Sequence, residues 1–72
     1  MITSSVRMVE DLRFEAVRFR KPVPHWRLRL PNGVILQPGA AGLKGESRPR
    51  LWDSLEDLAR RIGRERFLKE FG

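Results

Sequence analysis

The stretch Pro22-Val23-Pro24-His25-Trp26-Arg27-Leu28-Arg29-Leu30-Pro31-Asn32-Gly33-Val34-Ile35-Leu36-Gln37-Pro38 decides how this chain is read. Within it Trp26, Leu28 and Leu30 alternate with His25, Arg27 and Arg29. A period of two puts the apolar set on one face of a strand and the basic set on the other. Pro31-Asn32-Gly33 supplies a turn, because proline presets φ while asparagine and glycine tolerate positive φ. Val34, Ile35 and Leu36 then read as a return strand that Gln37-Pro38-Gly39 ends. The pattern predicts an antiparallel β-hairpin over about residues 25–37, with one apolar face and one arginine face.

Working outward, Lys21-Pro22-Val23-Pro24 is a break, since two prolines remove donors and bias the residues before them towards extended geometry. Residues 6–20 admit two readings. As a helix, Met8, Val9, Leu12, Ala16 and Phe19 share a face, with Glu10–Arg13 and Glu15–Arg18 as i,i+3 pairs. Phe14 falls off that face, and Phe14 to Phe19 favours a strand, so a third strand from about Arg13 to Phe19 is the alternative. The helix is the favoured reading. Residues 1–5 form a loose start, with Thr3, Ser4 and Ser5 available as caps.

On the other side, residues 38–50 read as an irregular loop carrying Gly39, Gly42, Gly45, Ser47 and Pro49. A C-terminal helix is predicted over about residues 54–62, capped by Asp53 or Ser54, with Glu56 or Asp57 in the capping-box position. Leu55, Leu58, Ala59 and Ile62 form its buried stripe, Arg60 and Arg61 fill its last turn, and Gly63 ends it. Phe67, Leu68 and Phe71 give the remainder the spacing of a short helical tail. The fold class is therefore α+β, a small single domain spanning residues 1–72. Its expected core is Leu28, Leu30, Leu55, Leu58 and Ile62, with Trp26 covering them.

Seventy-two residues bury a thin core. A homodimer is accordingly one expectation, with Trp52, Phe67 and Phe71 as the apolar residues left to bury. The absence of cysteine excludes disulfides and thiolate metal sites. No apolar run reaches spanning length and Met1 to Met8 lacks a signal-like segment, so a cytoplasmic protein with no membrane partner is expected.

The net charge of +6 is concentrated in the middle of the chain. Between Arg18 and Arg50 the basic residues are Arg18, Arg20, Lys21, Arg27, Arg29, Lys44, Arg48 and Arg50, and Glu46 is the only acid. Those basic residues are the candidate binding set, and a basic centre between balanced ends suits a polyanionic partner. No catalytic constellation assembles, because His25 is the only histidine and no nucleophile is patterned with it. Gly39 to Gly45 lacks the Gly-Lys-Ser/Thr and immediate helix of a phosphate loop, and it does not lie between two helices as a Gly-x-x-Gly clamp does. Gly63 lies too close to the C-terminus for a helix-turn-helix with a free reading face. The expected function is non-enzymatic nucleic-acid binding by the arginine face, without cofactor. Duplex contacts are favoured over base stacking because Trp26 alternates inward. The alternative is a small interaction module or inhibitor that docks on an acidic protein surface.

Overall fold

A computed structural model describes residues 5–72. The expected caps Thr3 and Ser4 lie outside the described residues. Strands β1 (Val6–Val9), β2 (Leu12–Phe19) and β3 (His25–Arg29) form one antiparallel sheet in the order β1-β2-β3, followed by helices α1 (Arg48–Ile62) and α2 (Arg64–Phe71). The architecture is α+β with a short 3₁₀ turn at Ala40–Gly42. Among the described residues, no helix is long and apolar enough to cross a membrane.

The favoured helix over residues 6–20 is replaced by a hairpin. Glu10 and Asp11 both take positive φ, 50° and 66°, the signature of a two-residue turn whose twist matches its flanking strands. Val9 then stands opposite Leu12 and Phe14 opposite Arg7. Phe14 and Ala16 are buried on the inner face, while Val17 and Phe19 lie half-buried on the outer one. The alternative reading, a third strand from about Arg13 to Phe19, is thus the one realised as β2; apolar residues on both of its sides weakened its alternation. The supposed i,i+3 pairs dissolve with the helix: Glu15 bonds Arg29 across the sheet, and Glu10 bonds Arg64.

The hairpin at residues 25–37 is present in reduced form. Asn32 Oδ1 accepts from the Val34 amide, and the Leu30 amide donates to the Val34 carbonyl. Beyond the turn, the return segment meets β3 through the bridge Arg29 to Ile35, a bond from the Leu36 amide to the Leu28 carbonyl and one from Arg27 Nε to the Leu36 carbonyl. The full ladder of β3 runs to β2 instead.

Helix α1 starts six residues earlier than residue 54. Ser47, in extended geometry, caps it by accepting from the Arg50 amide, and Pro49 occupies the first turn, where its missing N–H costs nothing. Asp53 and Ser54 are thus interior helix residues. The Ser54 hydroxyl donates to the Leu51 carbonyl and accepts from the Lys44 amide. Gly63 ends α1, with φ 86° and its amide on the Ala59 carbonyl.

The inner sheet face packs on both helices. Phe14, Leu28, Leu51, Leu55 and Phe67 are essentially inaccessible, and Leu58 is buried as its helical phase requires. Trp26, Leu30 and Ile62 are partly buried against this cluster. Phe14, Phe67 and Phe71 form a three-ring contact with centroids 5.0–6.4 Å apart, the geometry aromatic groups favour. Trp52, Phe67 and Phe71, expected to seek a second copy, are buried inside this chain.

Arg64 ties the start of α2 to the β1–β2 turn, donating from one guanidinium nitrogen to Glu10 and from another to Asp11, each at 2.8 Å. Those bonds, Asp11's first and Glu10's second, raise its pKa above the ordinary arginine value. Two tests follow from these elements. Replacing Asp11 by Gly removes an exposed ion pair but relieves a left-handed backbone, and should stabilise the protein by about 1 kcal/mol in denaturant melts; a loss would mean that the Arg64 fork outweighs the strain. Ser47→Ala should cost about 1 kcal/mol, whereas Asp53→Ala should change stability by less than about 0.5 kcal/mol.

Candidate nucleic-acid interface

Residues directly opposite in an antiparallel pair share a face. Val17 stands opposite Arg27, Glu15 opposite Arg29 and Phe19 opposite His25, which puts Arg27, Arg29 and His25 on the outer face. Arg18 stands opposite Trp26, on the side that carries Ala16 and Leu28. The candidate basic residues therefore do not form one face. Arg18, Arg20, Lys21, Arg27 and Arg48 lie around the end of the sheet where β2 finishes and β3 begins. Arg29 closes the other end of β3, and Lys44 and Arg50 line a separate cavity with Asp53, Asp57 and Arg61.

On the outer side of that end, the Arg27 guanidinium lies 4.4 Å from the Phe19 ring centre, and its Nε donates to the Leu36 carbonyl at 2.7 Å. The cation is satisfied without a carboxylate, so its charge stays uncompensated. Arg29 differs: a 3.0 Å bond to Glu15 neutralises it. On the inner side the Arg48 guanidinium lies 5.2 Å from the Trp26 ring centre and donates to the Ser5 hydroxyl. Arg20 and Lys21 follow β2 at the tip, in a connection that includes a cis Lys21–Pro22 bond. Among the described residues, Arg18, Arg20, Lys21 and the Lys44 side chain form no ion pair. Arg50 pairs with Glu46 on a highly exposed i,i+4 contact.

The first turn of α1 contains no acid and two arginines, Arg48 and Arg50, at the positive end of the helix dipole. That arrangement costs stability rather than adding it. Glu46 is the acid that lines a groove at this end; Glu10 and Asp11 lie at the opposite end of the sheet, and Glu56, Asp57 and Glu70 form ion pairs along the helices.

The segment between the 3₁₀ turn and α1 is held against β3. Leu43 is buried, and the Trp26 amide donates to the Gly45 carbonyl at 2.8 Å. The sequence suggested an irregular loop over residues 38–50; most of it is an ordered edge cover and a helix start. Sequence reasoning missed that Ser47 followed by Pro49 is a helix-start signal, and with it the placement of Arg48 over Trp26. The segment also walls an open groove of about 280 Å³, with Val23, Pro24, His25, Trp26, Pro38 and Leu43 among its lining. Among the described residues, no group of three or more metal-ligating side chains is close enough to hold an ion.

Comparison with family models, with curated proteins and with solved structures finds no match to this chain.

A Cβ on Gly45 would fall well inside van der Waals contact of the Trp26 carbonyl oxygen. Gly45→Ala should therefore push this segment off β3 and destabilise the protein by about 1–3 kcal/mol. Amide exchange at Trp26 should accelerate relative to Ala16 in the same variant; an unchanged Trp26 rate would show that the contact is dispensable.

Proposed function

We propose that this protein binds nucleic acid without catalysing a reaction, gripping the phosphate backbone with the end of the sheet where β2 passes into β3. The observation that carries this reading is the uncompensated charge there. Arg18, Arg20 and Lys21 have no acidic partner among the described residues, and the Arg27 guanidinium rests on the Phe19 ring and the Leu36 carbonyl.

A folded domain ordinarily disperses like charges, because their mutual repulsion disfavours the compact state. Holding four such cations around one end, beside an Arg48 guanidinium that lies over Trp26, suits a partner with closely spaced anions. The sheet face is less suited than its end, since Glu15 removes the contribution of Arg29. Phosphate contacts position a protein without reading sequence, so little base-sequence preference follows from this set alone.

The test is a charge reversal with a matched control. Arg18→Glu, Arg20→Glu and Lys21→Glu together should weaken binding to an oligonucleotide by at least about tenfold at low salt. Reversing Arg60, Arg61 and Arg66, which sit in ion pairs with Asp57 and Glu70, should change it by less than about threefold. Fluorescence anisotropy reads both. Equal losses in the two variants would contradict a localised site, and failure of the wild type to bind would contradict the reading itself.

A further inference from the structure

The only histidine of the chain is held in an unusual way. His25 Nδ1 lies 2.7 Å from the Val23 carbonyl, a pure acceptor, so Nδ1 must carry the hydrogen. In the neutral ring Nε2 is then a lone-pair acceptor. It is buried and has no hydrogen-bond partner, and among the described residues no other buried side-chain nitrogen or oxygen is in that condition. Buried acceptors are satisfied in folded proteins, because an orphan forfeits its hydration with nothing in return. The ring cannot easily turn to relieve this, since it also stacks on Phe19 at 5.5 Å and 19°.

His25 lines the open groove beside β3, in the company of Trp26, Pro24, Pro38, Leu43 and Glu46, whose carboxylate pairs with Arg50. Val23, also in the lining, is 62% exposed, an apolar side chain left at the surface. The groove opens at the same end of the sheet as Arg18, Arg20, Lys21 and Arg48. We infer that this groove takes a single unpaired nucleobase, whose N–H edge donates to His25 Nε2 while the adjoining phosphates meet the surrounding cations.

The inference rests on the nucleic-acid reading above and adds the part of the ligand that phosphates do not specify. The choice of occupant follows from two features together. The largely apolar lining, with the rings of Trp26 and His25 in it, calls for a flat ring with a donor at its edge. The cations around it call for that ring to be attached to anions. A base paired in a duplex has its N–H edge engaged, so the occupant is a single-stranded or extruded nucleotide. Nε2 is beneath the surface, so the occupant must displace part of what covers it; the connection at residues 21–24 runs directly into His25 and supplies Val23 and Pro24 to the groove. Every residue there is exposed and none belongs to the sheet.

Because the chain has one histidine, its ring nitrogens give unambiguous resonances in ¹⁵N-labelled protein. The protein is titrated with a short oligodeoxyadenylate, with an abasic oligomer of equal length, and with heparin. The inference requires the Nε2 resonance to shift towards hydrogen-bonded values with the oligodeoxyadenylate alone, and affinity for it to exceed that for the abasic chain by about tenfold. His25→Asn, which can keep the bond to Val23 but has no atom at the Nε2 position, should erase that preference. His25→Gln, which can place an acceptor near that position, should retain part of it. Equal binding of the two oligomers with an unmoved Nε2 resonance would overturn the inference and leave the phosphate reading standing. An Nε2 already at a hydrogen-bonded shift in the free protein would overturn it too, by showing that a structural water fills the place. No binding to any of the three would remove the inference and the reading beneath it.

Discussion

One backbone hydrogen bond, from the Trp26 amide to the Gly45 carbonyl, organises much of what surrounds the basic end. It attaches the long connection after the hairpin to the outer edge of β3, an edge that would otherwise present free donors and acceptors to other chains. With that edge covered, Leu43 reaches the core, Ser47 is placed to start α1, and Arg48 lands over Trp26. Gly45 makes the bond possible, because no side chain fits between the two backbones there. The residues of the candidate interface thus arrive from β2, β3 and α1 through a contact that involves no charge at all.

The charge distribution is best understood as a cost borne at one end and offset at the other. At the turn between β1 and β2, strained left-handed backbone at Glu10 and Asp11 coincides with the bidentate grip of Arg64, so sheet and helices are joined by acids meeting a base. At the far end Arg18, Arg20 and Lys21 form no ion pair among the described residues, and Arg50 meets Glu46 in an exposed pair. Arg48 and Arg50 oppose the α1 dipole, and Arg27 draws its support from an aromatic ring and a carbonyl. The three-phenylalanine contact and the buried α1 stripe supply the stability that tolerates this arrangement.

How much of this was legible in the sequence differs from element to element. The alternation of Trp26, Leu28 and Leu30 announced β3 correctly, because only one of its faces is apolar. The strand β2 was legible as the alternative over about Arg13 to Phe19 and no more firmly, because Val17 and Phe19 make its outer face apolar too; β1 was obscured because its turn uses Glu10-Asp11 in place of the usual Asn-Gly. The phase of α1 was readable from Leu55, Leu58 and Ile62. Its start was not, since arginines in a first turn contradict the expected charge pattern. For the interface, the residues could be named but not arranged. Whether Arg18 shares a face with Arg27 depends on the β2–β3 register, which places Arg18 opposite Trp26 and fixes the two arginines on opposite sides. The orphaned His25 Nε2 has no signature in sequence.

The central claim is that a compact set of cations at one end of the sheet neutralises phosphates. The slope of log affinity against log salt concentration, measured with single-stranded oligonucleotide, tests it most directly. Neutralisation by four or five cations predicts a slope of roughly −3, at about −0.7 per contact. A slope near zero, with binding intact, would mean that no phosphates are neutralised and would contradict the account.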